Sequence, residues 1–368
     1  MRAKGEGATR KRPAGFQSKA AVNGPKYVLW EVSRGCPLNC QSCRHSALPP
    51  GAPGDLTTDQ AAALIENLAR AYPARLVLTG PEPLARPDLF NLAEYAHKRG
   101  LEVILCTNAV GYDAKIARKL VEVRVKEIEI SLDGASSRWH DSFRGAEAAF
   151  VKTIKGIDLI RLSGIRFKLS TTITGKNVEE LPKILSLSRK LGAQMLTVFF
   201  NVPVGRGRAI AGDPMPDSTA VHWLNWIFEQ QFLHRYPIQV VCSPQFERIY
   251  RERAAELPAE LNPMLPGQEH LSGRYGCLAA KDFCFIASDG TVYPCPYLLE
   301  PAGSLLEKSF TEIWQDAAVF ESLRDTRRLG GKCGICKYAD LCSGCRALAK
   351  AATGDFKAAD PNCQYQPG

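Results

Sequence analysis

No run of apolar residues approaches the ~18 that a membrane span needs, and the opening residues lack the apolar core of a signal peptide. A cytoplasmic location is therefore expected. No repeat of fixed period stands out beyond an alternation of strand-like and helical segments. Acid is scarce at the start of the chain: residues 1 to 20 carry six basic side chains against one acid, Glu6. That stretch, rich in Gly, Ala and Lys and without periodicity, reads as a disordered basic tail over residues 1–25. Once its +5 is set aside, the rest of the chain is only mildly basic out of a net charge of +9, so nucleic acid is disfavoured as a partner. At 368 residues, 45% hydrophobic and 23% charged, the chain has the composition of a soluble protein with a large core and more than one domain.

Cysteine is what the chain has in quantity. Thirteen cysteines without an export signal point to metal binding rather than disulfides in a reducing compartment. Three of them, Cys36, Cys40 and Cys43, fall within CPLNCQSC, and eight lie from Cys277 onward.

Six runs have strand character: YVLWEVS at 27, RLVLTG at 75, LEVILCTN at 101, KEIEISLDG at 126, IRFKLSTTIT at 165 and QMLTVFFNVP at 194. Helix-period segments separate them, with Leu64, Leu68, Ile157 and Ile160 expected to face inward. Alternating strands and helices imply βαβ units and a parallel sheet, either a partial barrel or an open doubly wound sheet. A further helix, strand (IQVVCS) and charged helix follow, and Trp223, Trp226, Ile227 and Phe228 read as core. The Pro/Gly-containing stretch LNPMLPGQEHLSGRYG then reads as a linker into a cysteine-rich domain beginning near Cys277.

In parallel α/β folds the site lies at the carboxyl ends of the strands. Here six strand ends carry polar or special residues, among them TGPEP at 79, Thr107-Asn108, Ser131-Leu132-Asp133-Gly134 and NVPVGRGR. Structural zinc takes four closed ligands; His45 can serve as a fourth beside the three cysteines, so zinc stays open on that stretch alone. Three thiolates suit a four-iron cluster better, with the fourth iron open to a substrate or cofactor.

CxxxCxxC after the first strand and TGPEP after the second resemble the radical S-adenosylmethionine superfamily. The resemblance implies that Cys36, Cys40 and Cys43 hold a [4Fe-4S] cluster whose open iron chelates S-adenosylmethionine. It implies Gly80 and Glu82 along the methionine moiety, Asn108 and Ser131 at the nucleoside, and Arg206 as a weaker candidate for the carboxylate. Two positions depart from the family pattern. Ser42 stands where an aromatic is usual, and Pro81 replaces the second glycine of the GGEP-type loop, removing an N–H.

The later cysteines run Cys277-x6-Cys284-x10-Cys295, then Cys333-x2-Cys336-x5-Cys342-x2-Cys345, then Cys363. On spacing alone they can serve two zincs or two four-iron clusters. The pattern resembles the SPASM extension found behind many radical S-adenosylmethionine cores. That implies two auxiliary [4Fe-4S] clusters, one on Cys277, Cys284, Cys295 and Cys345, the other on Cys333, Cys336, Cys342 and Cys363. Cys106 remains as a small core residue, and for Cys242 a functional role is the less favoured reading. The expected architecture is a partial (βα)6 barrel core over 26–235, a bridging segment over 236–275 and a small cysteine-rich α+β SPASM domain over 276–368.

The resemblance implies a 5′-deoxyadenosyl radical that abstracts hydrogen, and fully ligated auxiliary clusters suit a net oxidation, with a donor such as ferredoxin or flavodoxin supplying electrons. WEVSRGC, CRHSA, SLDGASSRWHDSFRG, NVPVGRGR, YPCPY and CSGCRALAKAATGD are similar to the branch of haem synthases of the siroheme-based pathway and related porphyrin-modifying enzymes. A tetrapyrrole substrate follows, with oxidative decarboxylation of iron-coproporphyrin III propionates to vinyls as the expected reaction. Arg206, Arg208 and Lys176 are candidates for its carboxylates, and His45, His140 and His222 could approach its iron. The alternatives are a peptide-modifying maturase, another haem d precursor-modifying enzyme, and a non-catalytic metal-binding scaffold. The short stretch before the first strand argues against the peptide reading, and TGPEP with the open triad against the scaffold.

Overall fold

The computed structural model describes residues 23–72, 74–212, 215, 217–257 and 276–367. Most of the basic tail and nearly all of the linker stretch lie outside the described residues. The six expected strands are present as β1 (Tyr27–Glu31), β2 (Arg75–Thr79), β3 (Glu102–Thr107), β4 (Glu127–Ser131), β5 (Arg166–Ile173) and β6 (Leu196–Phe200). A seventh, β7 (Ile238–Val241), continues the run, and β8 (Phe283–Ile286), β9 (Thr291–Tyr293) and β10 (Gly303–Ser304) come from the cysteine-rich region.

All ten belong to one sheet, in the order β10-β9-β8-β1-β2-β3-β4-β5-β6-β7. From β8 through β7 every pairing is parallel. Strands β1 to β7 follow one another without the reversal of order that marks a doubly wound sheet, so the partial barrel is the architecture adopted. The cysteine-rich segment is not set apart from it: β8 extends the barrel sheet beside β1, while β9 and β10 are antiparallel.

Helices form where the apolar period predicts them. The first, α1 (Thr58–Ala71), starts at a capping box in which Thr57 and Gln60 satisfy each other's backbone N–H. Leu64, Leu68, Ile157 and Ile160 are all buried, as are Trp223, Ile227 and Phe228, with Trp226 half-buried against them. Each strand alternates between this helix-facing core and the concave face. Val28 and Leu76, for example, point to the core, while Leu29 and Val77 line the cavity within the barrel.

Candidate active site

The cavity measures about 420 Å³, within the roughly 300–1,000 Å³ of small-molecule sites. It lies at the carboxyl ends of the strands, where Thr79, Thr107, Ser131 and Thr172 line it. Cys36, Cys40 and Cys43 form one wall, on the loop that follows β1.

Two distant segments shape that loop. The helix Ser137–Arg144 ends at Gly145 in the left-handed region (φ 62°), leaving its last carbonyls without helical partners. Loop residues supply them: Asn39 N–H donates to Arg144 O at 3.2 Å and Gln41 N–H to Phe143 O at 3.0 Å. A Cβ on Gly145 would stand 2.5 Å from Asn39 O, so only glycine permits this approach. From the other side, Arg206 donates its backbone N–H to Cys43 O at 2.9 Å and Nε to Cys40 O at 3.0 Å. Its Nη2 is buried without a partner. Arg206 therefore clamps the loop first, with one N–H group left for a ligand. A Cβ on Gly205 would meet Arg44 O at 2.3 Å; Gly205→Ala is expected to displace the loop and lower the iron bound by the three cysteines, read as iron per chain after anaerobic reconstitution.

The thiols suit an iron–sulfur cluster. Burial, opposed by the Leu38 N–H, pushes the Cys36 thiol up to about 12, so it ionises only beside a cation. Donors for a thiolate stand ready: Leu38 N–H at 3.4 Å and Asn108 Nδ2 at 3.8 Å from Cys36 Sγ, and Arg144 Nη1 at 3.7 Å from Cys40 Sγ. Arg144 also binds Asp133 at 2.7 Å in a buried ion pair. Cys36, Cys40 and Cys43 all line the one cavity.

Of the residues expected at S-adenosylmethionine, Gly80, Asn108, Ser131 and Arg206 line the cavity. Glu82 does not. Its carboxylate turns inward and accepts from Thr107 Oγ1 at 2.8 Å, Asn108 N–H at 2.8 Å and Leu84 N–H at 3.1 Å. Burial raises its pKa against those donors. It thus ties the β2 loop to the end of β3 and aims Asn108. Gly80, at φ 138°, packs on Ser33, whose O would lie 2.7 Å from a Cβ, and Pro81 lines the cavity beside it.

Lys176 and Arg208 are exposed and away from the cavity. Three cations that spacing did not single out line it: Arg144, paired with Asp133; Lys168, paired with Glu127 and Glu129; and Arg44. Arg44 is held over the rings of Phe285 (4.9 Å) and Tyr297 (5.7 Å). Among the described residues it has no ion-pair partner. Of the three histidines only His45 lines the cavity. Its Nδ1 lies 2.5 Å from Glu31, and its buried Nε2 has no partner. His140 accepts from Asp133 N–H and is driven to about 3 by burial and then by Arg144, so it stays neutral. His222 packs edge-on against Trp223.

The later cysteines fall into two groups. Cys333, Cys336, Cys342 and Cys363 do not line the cavity, and backbone N–H groups of Asp360, Tyr338 and Gly344 donate to Cys333, Cys336 and Cys342, each at 3.4 Å. Cys277, Cys295 and Cys345 line the same cavity as the first loop. The expectation that Cys284 joins them is not met by the geometry. It lies within β8 paired with Val28, fully buried in the hydrophobic core and on the opposite strand face from cavity-lining Phe283. Cys242 and Cys106 do line the cavity, which no spacing announces.

Residues 30–188 match the family model of the radical SAM superfamily, and residues 277–346 match that of the SPASM iron-sulfur cluster-binding domain. The chain is 40% identical over 349 residues to the AdoMet-dependent heme synthase of Methanosarcina barkeri, covering 95% of this chain and 99% of that protein. It is 34% identical to the AdoMet-dependent heme synthase of Oleidesulfovibrio alaskensis, covering 93% and 88%. The Streptococcus suis SuiB structure bound to S-adenosylmethionine superposes with a TM-score of 0.71 at 16% identity, covering 93% of this chain and 77% of that one, a likeness of fold.

The chain belongs to the radical SAM superfamily, and its domains are those of an enzyme with [4Fe-4S] clusters and S-adenosylmethionine. Within that family it is similar to AdoMet-dependent heme synthases and, at 28–29% identity, to a pre-heme d1 synthase and an Fe-coproporphyrin III synthase. Among the described residues no helix is long and apolar enough to cross a membrane.

Proposed function

We propose that the cavity takes an iron-porphyrin bearing propionates, iron-coproporphyrin III, and converts two of them to vinyls, giving haem b. The observation that carries this reading is a single cavity lined both by Cys36, Cys40 and Cys43 and by Cys277, Cys295 and Cys345, with Arg44 held over aromatic rings. When bound, the cluster and S-adenosylmethionine supply hydrogen-atom abstraction. Each propionate then loses one hydrogen atom, one electron and carbon dioxide, so an electron acceptor within reach is required. The thiols of Cys277, Cys295 and Cys345 in the same cavity suit that acceptor, as a second cluster.

Arg44 is the group to hold a propionate, since a guanidinium in a partly apolar wall forms strong charge-assisted bonds to carboxylate. Asn108, aimed by Glu82, and the free N–H of Arg206 are the groups to meet S-adenosylmethionine. Arg44→Met is expected to raise KM for the porphyrin about 10- to 100-fold, the range for losing a hydrogen bond to a charged group, measured by initial rates across porphyrin concentrations. An unchanged KM removes Arg44 from the substrate site.

The reading is tested by incubating reconstituted enzyme with iron-coproporphyrin III, S-adenosylmethionine and a low-potential reductant without oxygen, followed by mass spectrometry of the porphyrin. Sequential loss of two carboxyl groups is expected. Unchanged porphyrin, with S-adenosylmethionine cleaved in the presence of a peptide instead, would overturn it.

A further inference from the structure

We infer that Cys242, not Cys284, is the fourth cysteine of the auxiliary cluster site that faces the cavity, with Cys277, Cys295 and Cys345. The inference rests on the reading that this wall binds a cluster. Three observations carry it. All four of these cysteines line the cavity, and Cys284 does not. The turn that holds Cys242 is tied to the cysteine-rich segment, Gln245 Nε2 donating to Asn362 O at 3.2 Å. Strand alternation in β8 settles the remaining choice. Phe283 lies on the cavity face with Tyr27 and Leu29 of the neighbouring strand, so Cys284 shares the core face with its register partner Val28 and with Ile286. Bringing its sulfur to the cavity would require a one-residue slip of β8, which would expose Ile286 as well.

The position of Cys242 is built for an inward thiol. It follows β7 directly and adopts φ 64°, a left-handed conformation uncommon for any residue with a side chain and usually held only by its surroundings. The next residues, Ser243 to Phe246, are buried as they enter the following helix, so the turn cannot relax outward.

The assignment has an architectural consequence. β7 is the last strand at one end of the sheet, while β8 and β9 lie toward the other, beyond β1. Cys242 follows β7, and Cys277 and Cys295 flank β8 and β9. A cluster on these thiols would clip together the two ends of a barrel that its own hydrogen bonds leave open.

The test compares Cys242→Ala, Cys242→Ser and Cys284→Ala, each in a chain that already carries Cys36→Ala, Cys40→Ala and Cys43→Ala, so that any bound iron is auxiliary. The parent should hold about eight irons if two four-iron clusters form. Iron per chain, and the electron paramagnetic resonance spectrum of the reduced protein, are read after circular dichroism establishes folding. Cys242→Ala is expected to lose about one to four of those irons and one of the two spectral components. Cys242→Ser, which keeps an oxygen ligand, should retain iron with a shifted spectrum, and Cys284→Ala should match the parent. Loss of that component in Cys284→Ala with an unaltered spectrum in both Cys242 variants would overturn the assignment. A parent without iron would instead overturn the cluster reading beneath it.

Discussion

Replacing Cys36, Cys40 and Cys43 together with alanine is expected to abolish cleavage of S-adenosylmethionine while iron remains on the later cysteines. On the proposed reading the three thiols are the protein's whole hold on the first cluster, while Asn108 and Arg144 contact two of the sulfurs and Arg206 holds the loop backbone. A cluster with three protein ligands has none to spare, so the effect should reach the limit of detection rather than a partial loss. The measurement is methionine and 5′-deoxyadenosine formed with dithionite, beside iron content. Cleavage that survives in the triple variant would mean that another set of thiols binds S-adenosylmethionine.

Arg144→Met carries the largest expected cost in stability. Arg144 sits between Asp133 at the end of β4 and Cys40 in the cluster loop, and both members of the ion pair are at least nine-tenths buried. Removing one partner of a buried pair leaves the other charge uncompensated, typically a loss of about 3–5 kcal/mol. Asp133 also accepts from the Thr172 N–H at 2.7 Å, so the damage should spread to the end of β5. The expected result is a lower denaturant midpoint together with poor cluster assembly. The double variant Arg144→Met, Asp133→Asn should recover part of the stability, because it removes the orphaned charge. If Arg144→Met unfolds at the wild-type midpoint, the pair contributes no more than an exposed one.

The strands and the two sets of cysteines were legible because each is a local pattern. A run such as RLVLT announces a buried parallel strand whatever it pairs with, and CPLNCQSC places three thiols within one turn of chain. The motifs SFRG and GRGR stood out as sequence, yet what they do was hidden: both fold the cysteine loop, one through helix-end carbonyls and the other through Arg206. Glu82 illustrates the same gap. TGPEP suggests a carboxylate facing a ligand, while the fold turns it onto backbone N–H groups of its own barrel. Arg44 carried no spacing signal, because its role depends on Phe285 and Tyr297, more than two hundred residues away.

What the sequence determined by itself was the chemistry available: an open triad of thiols, a barrel to hold it, and enough further cysteines for more iron. Those follow from residue type and short spacing, which survive any arrangement of the rest. Only the tertiary structure decided which thiols share a wall. Cys277-x6-Cys284 looks like a ligand pair, but FCFI is apolar on both strand faces, so alternation alone cannot say which face is core. Pairing of β8 with β1 turns Cys284 into the core, and the path of the sheet from β8 to β7 brings Cys242 round to the cavity that Cys277, Cys295 and Cys345 line.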